Sequence, residues 1–244
     1  MPTSEPRRPG QAAGHLDAAK PCAVRLEFAA PSPEPAIDCG RCARLVEYRR
    51  ENVAAEPAWF NAPVPSFGAE DAELLIVGLA PGLRGANRTG RPFTGDFAGD
   101  LLYAMLAEHG FARGTYAGHS GDGVEPRGAM ITNAVRCVPP ANRPTGGEIT
   151  ACQPFLAKRL DSMLRLRAVL ALGRIAHDST VRALGANRSA HPFKHGSRHE
   201  VRPGLVLFDS YHCSRYNTNT RRLTPAMFGA VFAGIRAHIG PAAA

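Results

Sequence analysis

Four short apolar runs constrain this chain more than any other feature: Leu74-Leu75-Ile76-Val77, Ala129-Met130-Ile131-Thr132, Ala168-Val169-Leu170-Ala171-Leu172 and Leu205-Val206-Leu207-Phe208. None alternates apolar with polar residues, so both sides of each run must be covered, as in strands buried within a parallel sheet. Parallel strands need crossovers, and the intervening segments have helical spacing. Phe97 to His109 brings Leu101, Leu102, Met105 and Leu106 to one face, and Ile149 to Leu166 does the same with Phe155, Leu156, Leu160, Met163 and Leu164. Thr145-Gly146-Gly147-Glu148 has the spacing of a capping box, and Pro225 suits the first turn of a last helix. The order βαβαβαβα predicts a three-layer α/β/α sandwich around a central, mostly parallel four-stranded sheet.

At 244 residues and 44% hydrophobic content the chain has material for one full core. The expected boundaries are a disordered tail over 1–36, one domain over 37–240, and a short tail over 241–244. No apolar run approaches the roughly 20 residues of a membrane-spanning helix. The amino-terminal stretch is rich in Pro, Ala and Gly, carries Glu5 and Asp17, and lacks the unbroken apolar core of a secretory signal. A soluble, cytoplasmic monomer is the expectation. The formal charge of +8 and pI of about 9.6 point to polyanionic partners. Nearly all of that charge is Arg, with Lys only at Lys20, Lys158 and Lys194, which equally follows from the base composition of a genome.

In such sheets ligands bind at the carboxyl ends of the strands. The unusual loops fall there: Gly78 to Asp96, Asn133 to Pro144, Gly173-Arg174, and Asp209 to Thr224. Residues 78–96 contain neither GxxxxGK[ST] nor GxGxxG, which speaks against the common nucleotide-binding loops. The Gly-rich stretch from Ala117 to Gly128 reads as a flexible insertion. Cys39-Gly40-Arg41-Cys42 is a CxxC pair able to face one metal ion or cluster, and Cys137 and Cys152 bring the set to four. Spacing alone leaves open that Cys137 and Cys152 are small core residues and that the CxxC is a redox or zinc pair. A disulfide framework is disfavoured in a reducing compartment, and Cys22 and Cys213 are set aside.

The segments GLAPGLRGANRTGRPFTGD (78–96), ITNAVRCVPPANRPT (131–145) and SYHCSRYNTNTRRLT (210–224), with the later Cys152, resemble the uracil-DNA glycosylase superfamily, in its iron–sulfur-containing family 5 or type b branch. The resemblance covers about residues 37 to 240. It implies a monofunctional base-excision repair enzyme. Such an enzyme flips uracil, and other deaminated bases such as hypoxanthine, out of double-stranded or single-stranded DNA and hydrolyses the N-glycosidic bond. It also implies that Cys39, Cys42, Cys137 and Cys152 hold a structural [4Fe–4S] cluster, beside which Arg136, Asn142 and Arg143 are delivered toward DNA.

Carried over position by position, Phe93 stacks on the base, Asn133 reads its edge, Gly78 is a further substrate-binding position, and Ala80 leaves a roomy pocket floor. His212 stabilises charge growing on uracil O2, and Asp96 and Asn142 attend the water. Ala80 stands where other branches carry an acidic or polar water activator. Taken alone, Phe93 is an ordinary core residue, Asn133 a turn cap, Asp96 a helix cap, and His212 one of nine histidines. Phosphate contacts are expected from Arg88, Arg143, Ser214, Arg215, Asn217 and Arg221, and Leu223 is the expected wedge between bases. The chain departs from the family at Tyr216 and Arg221, where Gln and Gly are more usual, and at Cys213, where another branch has Pro. Two other readings compete: a non-catalytic nucleic-acid-binding module, and a superfamily member trapped covalently on DNA. Against the second, Arg84 to Arg91 contains no histidine.

Overall fold

A computed structural model describes Met1 and residues 32–241, and from residue 32 onward they form one unit. The four apolar runs are strands with every residue buried: β2 (Leu74–Gly78), β5 (Ala129–Asn133), β6 (Ala168–Leu172) and β8 (Leu205–Ser210). All are mutually parallel. The sheet has six strands rather than the expected four, because antiparallel strands close both edges. On one side β1 (Phe67–Gly68) pairs with β5; at two residues it is too short to carry a periodic signal. On the other, β7 (Arg198–Arg202) pairs with β8, and its sequence RHEVR is polar because one of its faces meets solvent. A separate two-stranded ribbon joins β3 (Ala112–Arg113) to β4 (Glu125–Pro126).

Opposite faces of each strand feed two cores. Leu74, Ile76, Ile131, Leu170 and Phe208 pack against α3 (Phe97–Glu108) and α7 (Pro225–Ile239). Leu75, Val77, Met130, Val169 and Leu207 pack against α4 (Gly146–Ser162) and α5 (Arg174–Ala183). The capping box forms in full: Glu148 N–H donates to Thr145 Oγ1 at 3.2 Å, and Thr145 N–H donates to Glu148 Oε2 at 2.7 Å. It starts α4 at residue 146, before the apolar periodicity. The helix stops at Ser162, so Leu164, expected on the buried face, is 93% exposed.

The helix α1 (Ala43–Ala55) and the short α2 (Ala86–Thr89) and α6 (Arg215–Asn219) carry loops onto this frame. Two expectations change here. The Ala117–Gly128 stretch is pinned rather than loose, because Asp122 forms a buried two-pronged ion pair with Arg91, both contacts at 2.7 Å. Glu34, within the expected tail, pairs with Arg136 and with Arg159, so the body begins before residue 37. Residues 2–31, with Cys22, and 242–244 lie outside the described residues. Among the described residues no helix is long and apolar enough to cross a membrane.

Candidate active site

In order of appearance the four parallel strands lie 2-1-3-4 across the sheet, so connections leave β2 in opposite directions. The crevice this reversal opens at the carboxyl ends is the site such sheets offer to ligands. A cavity of about 310 Å³ sits there, lined by Ala80, Phe93, Asp96, Asn133, Asn142, His212, Ser214 and Arg215 among others. Of the four rim loops expected to converge, three line it, and Gly173-Arg174 does not. Gly78, just behind the lining, is in register with Asn133 on the neighbouring strand. A Cβ at Gly78 would lie 2.4 Å from Asn133 Oδ1 and 2.6 Å from Phe93 Cζ, so only glycine lets these two side chains meet.

Phe93 is buried in the left-handed region at φ 52°, a conformation costing about 1–2 kcal/mol for a residue with a Cβ. Its neighbours hold it there. Tyr116 donates its hydroxyl to Phe93 O at 3.3 Å and accepts from Gly95 N–H at 3.1 Å, while Tyr103 donates to Pro92 O at 2.9 Å. Arg91 donates to Thr94 Oγ1 at 2.7 Å, and the pair it forms with Asp122 holds that carboxyl well below the usual range. Composition gave no hint of this clamp. Tyr116 and Asp122 lie 21 to 31 residues from the groups they hold, and no spacing rule links them.

Asn133 is buried, and its Oδ1 has no hydrogen-bond partner in the protein. An orphan acceptor in a cavity wall costs stability unless something that enters satisfies it. The His212 and Phe93 rings face each other with centroids 5.8 Å apart and planes 28° from parallel. Asn217 Nδ2 donates to His212 O at 2.8 Å and fixes the backbone there. Burial pushes the His212 imidazole down to about 4, so it is neutral near pH 7 and keeps one N–H to donate.

The helix-cap reading of Asp96 is seen directly, and the same side chain also lines the cavity. It caps α3 through a 3.2 Å hydrogen bond from Gly99 N–H, and it lines the cavity, with Oδ2 against Gly82 and Gly85, where a Cβ would intrude. Burial pushes its carboxyl up, partly offset by the backbone N–H groups of Gly99 and Ala98. Asn142 reaches the cavity from a short 3-10 turn over Pro140–Asn142, at φ 55°.

Of the expected phosphate contacts, Ser214 and Arg215 line the cavity mouth. Ser214 caps α6, and the Arg215 guanidinium sits 5.2 Å from the Phe97 ring centroid. Asn217 is spent on the His212 backbone. Arg88, Arg143 and Arg221 are exposed but lie outside the cavity lining. Arg221 has φ 56°, in the left-handed region that favours glycine, the residue expected there from the resemblance. Arg136, expected to face DNA, is 3% exposed and braces the interior through Thr132, Ser66 and Glu34. Leu223, the expected wedge, is fully buried among the residues packed against α7. The large apolar side chain that α6 does present to solvent is Tyr216, 72% exposed.

Cys39, Cys42, Cys137 and Cys152 line one cleft with Leu45, Val135 and Phe155, and all four are free thiols. Arg49 donates to Cys137 Sγ at 3.7 Å and to Cys39 O at 2.9 Å, and Arg44 ties α1 to Glu148 at the start of α4. Four soft sulfur donors lining one cleft suit a thiolate-binding metal ion or an iron–sulfur cluster by their chemistry. Cys213 is buried elsewhere, with its thiol against Ala98 O.

Residues 65–236 match the family model described as the uracil DNA glycosylase superfamily. The chain is similar to a type-5 uracil-DNA glycosylase of Thermus thermophilus, 44% identical over 196 residues covering 78% of this chain and 89% of that protein. It is similar to a type-5 uracil-DNA glycosylase of Pyrobaculum aerophilum, at 42% over 77% of this chain and 83% of that one. A type-4 uracil-DNA glycosylase of Sulfurisphaera tokodaii is 32% identical over 78% of this chain and 77% of its own length.

Proposed function

The chain belongs to the uracil-DNA glycosylase superfamily, and from that premise we propose that it excises uracil from DNA by hydrolysing the N-glycosidic bond, and that hypoxanthine is a second substrate. It is a hydrolase of N-glycosyl bonds that leaves an abasic site. The observation that carries the reading is the orphan Asn133 Oδ1 beside Phe93 and His212. A flipped uracil stacks on Phe93, gives its N3–H to Asn133 Oδ1 and accepts at O4 from Asn133 Nδ2. Neutral His212 donates to O2, where negative charge grows as the bond between C1′ and N1 breaks. The base leaves as its N1 anion. Water adds its oxygen to C1′, and its proton passes toward the Asp96 carboxylate, with Asn142 orienting the water. Asp96 keeps one oxygen on the α3 cap and offers the other. Ala80 lines the cavity with a side chain too small to exclude a purine, which supports hypoxanthine as a substrate.

The deciding experiment is alkali-revealed cleavage of end-labelled DNA bearing one uracil, one hypoxanthine or no lesion, in duplex and single-stranded form. Cleavage at uracil alone would confine the substrate range; binding without cleavage would sink the proposal in favour of a DNA-binding module. With Leu223 buried, Tyr216 is the side chain available to fill the gap left by a flipped base. Tyr216→Ala is expected to lower excision from duplex DNA by about tenfold, as loss of about 1.4 kcal/mol of base stacking would. The rate on single strands, which have no gap, should hold. Equal loss on both substrates would count against a gap-filling role.

We also propose that the four cysteines hold a [4Fe–4S] cluster. It would tie the segment before α1 to the loop after β5 and to α4, and so position the Asn142 turn. Bound there, it supplies structural cross-linking and no step of the reaction. Cys137→Ser is expected to lose the brown colour and the iron and to unfold at lower temperature. Unchanged iron content would remove the assignment.

A further inference from the structure

Away from the cavity, three elements bring metal-binding side chains to one point. His177 lies on α5, His199 on the edge strand β7, and Asp209 on β8, and their nearest ligand atoms are all within 4.8 Å of one another. His177 Nδ1 is 2.7 Å from Asp209 Oδ1, and His199 Nε2 is 3.4 Å from Asp209 Oδ2. The side chains of His177 and Asp209 are 1% and 0% exposed, and that of His199 13%. From these residues we propose a mononuclear site for a divalent transition ion, zinc foremost, with two imidazoles and one carboxylate as ligands and water completing the shell.

Three observations carry it. His199 Nε2 is buried, yet makes no hydrogen bond despite its proximity to the carboxylate, so it points at the centre without the alignment a shared hydrogen would give. His177 Nε2 is 2.8 Å from His191 O. That outward bond to a backbone carbonyl is the support a ligating imidazole commonly has, since it fixes the ring and leaves Nδ1 free for the ion. Asp209 Oδ2 in turn receives Lys194 N–H at 3.4 Å, an outer bond of the same kind. Donors on one tetrahedral ion stand roughly 3.3 Å apart for bonds near 2.0 Å, which the two measured separations bracket.

The site joins α5, the solvent-facing edge of the sheet and the 184–197 connection to β8, three residues before His212. An ion there would stiffen the strand end from which His212 enters the cavity. The 2.7 Å contact would also suit a proton shared between His177 and Asp209, and that is the competing occupant.

The test uses the full chain as purified, stripped of loosely held metal, and compares it with His199→Ala and His199→Gln. Because His199 sits on a half-exposed edge strand, its replacement leaves the His177–Asp209 contact in place. Expected for the parent is one more bound zinc per chain than for either variant, and a rise in Tm with added zinc that the variants lack. With Co²⁺, the parent-minus-variant difference should show weak ligand-field bands without the intense near-ultraviolet charge transfer of thiolates, separating this site from the cysteines. Equal zinc, equal Co²⁺ spectra and equal Tm response in parent and variants would overturn the proposal and leave the proton as the occupant.

Discussion

Replacing His212 by alanine is expected to lower uracil excision by about 10²–10³-fold while affinity for uracil-containing DNA stays within about twofold. Single-turnover rates set beside equilibrium binding separate the two effects. The imidazole makes its strongest interaction only once charge has developed on the base, so its loss falls on the chemical step. A fall in affinity with an unchanged rate would assign His212 to ground-state binding instead. The same side chain fixes a pH signature. Its folded pKa, pushed down to about 4 by burial, lies below the ordinary value of 6.5, so between those values the unfolded chain binds more protons than the folded one. Its contribution to stability is therefore present in full above pH 6.5 and is lost as pH falls toward 4. The excision rate should show no inflection near pH 6.5, and urea unfolding of His212→Ala should weaken less on acidification than that of the parent. A rate that halves near pH 6.5 would mean that the imidazole charges at its ordinary value.

Asn133→Ala is the second large effect expected, a loss of about 10²–10³-fold in kcat/KM for uracil. A site built to hydrogen-bond a group discriminates strongly through those bonds. Its distinguishing mark is stability. Because Oδ1 accepts from no other group of the protein, removing it breaks no hydrogen bond within the fold, and Tm should stay level or rise while activity collapses. A large drop in Tm alongside the lost activity would make Asn133 a structural residue first.

How much of this was legible in the sequence depended on the range of the physics involved. The buried parallel strands, the Thr145 cap and the rim position of Phe93, Asn133 and His212 follow from patterns within a dozen residues, and all of these appear in the fold. Burial of a particular side chain does not follow from such patterns. Arg136 and Leu223 sit in segments that resemble DNA-contacting loops, yet one turns inward to Thr132 and Glu34 and the other into the core against α7. Tyr216, marked in the sequence only as a departure, takes the exposed place. The clamp on Phe93 is equally invisible, since Asp122 reaches it from an insertion whose glycines suggest looseness and Tyr116 from the residue just before that insertion. The sheet edges escaped notice because an edge strand need be apolar on one side at most.

Those edges have a consequence of their own. A chain that scans DNA accumulates on it at high local density, where open backbone edges would let neighbouring copies zip together. Here one border ends in a two-residue strand, and the other displays Arg198, Glu200 and Arg202 outward, so a second copy brought alongside meets charge before it meets a free row of amides. Crowding on the polymer it inspects then carries little risk of seeding a fibrous aggregate.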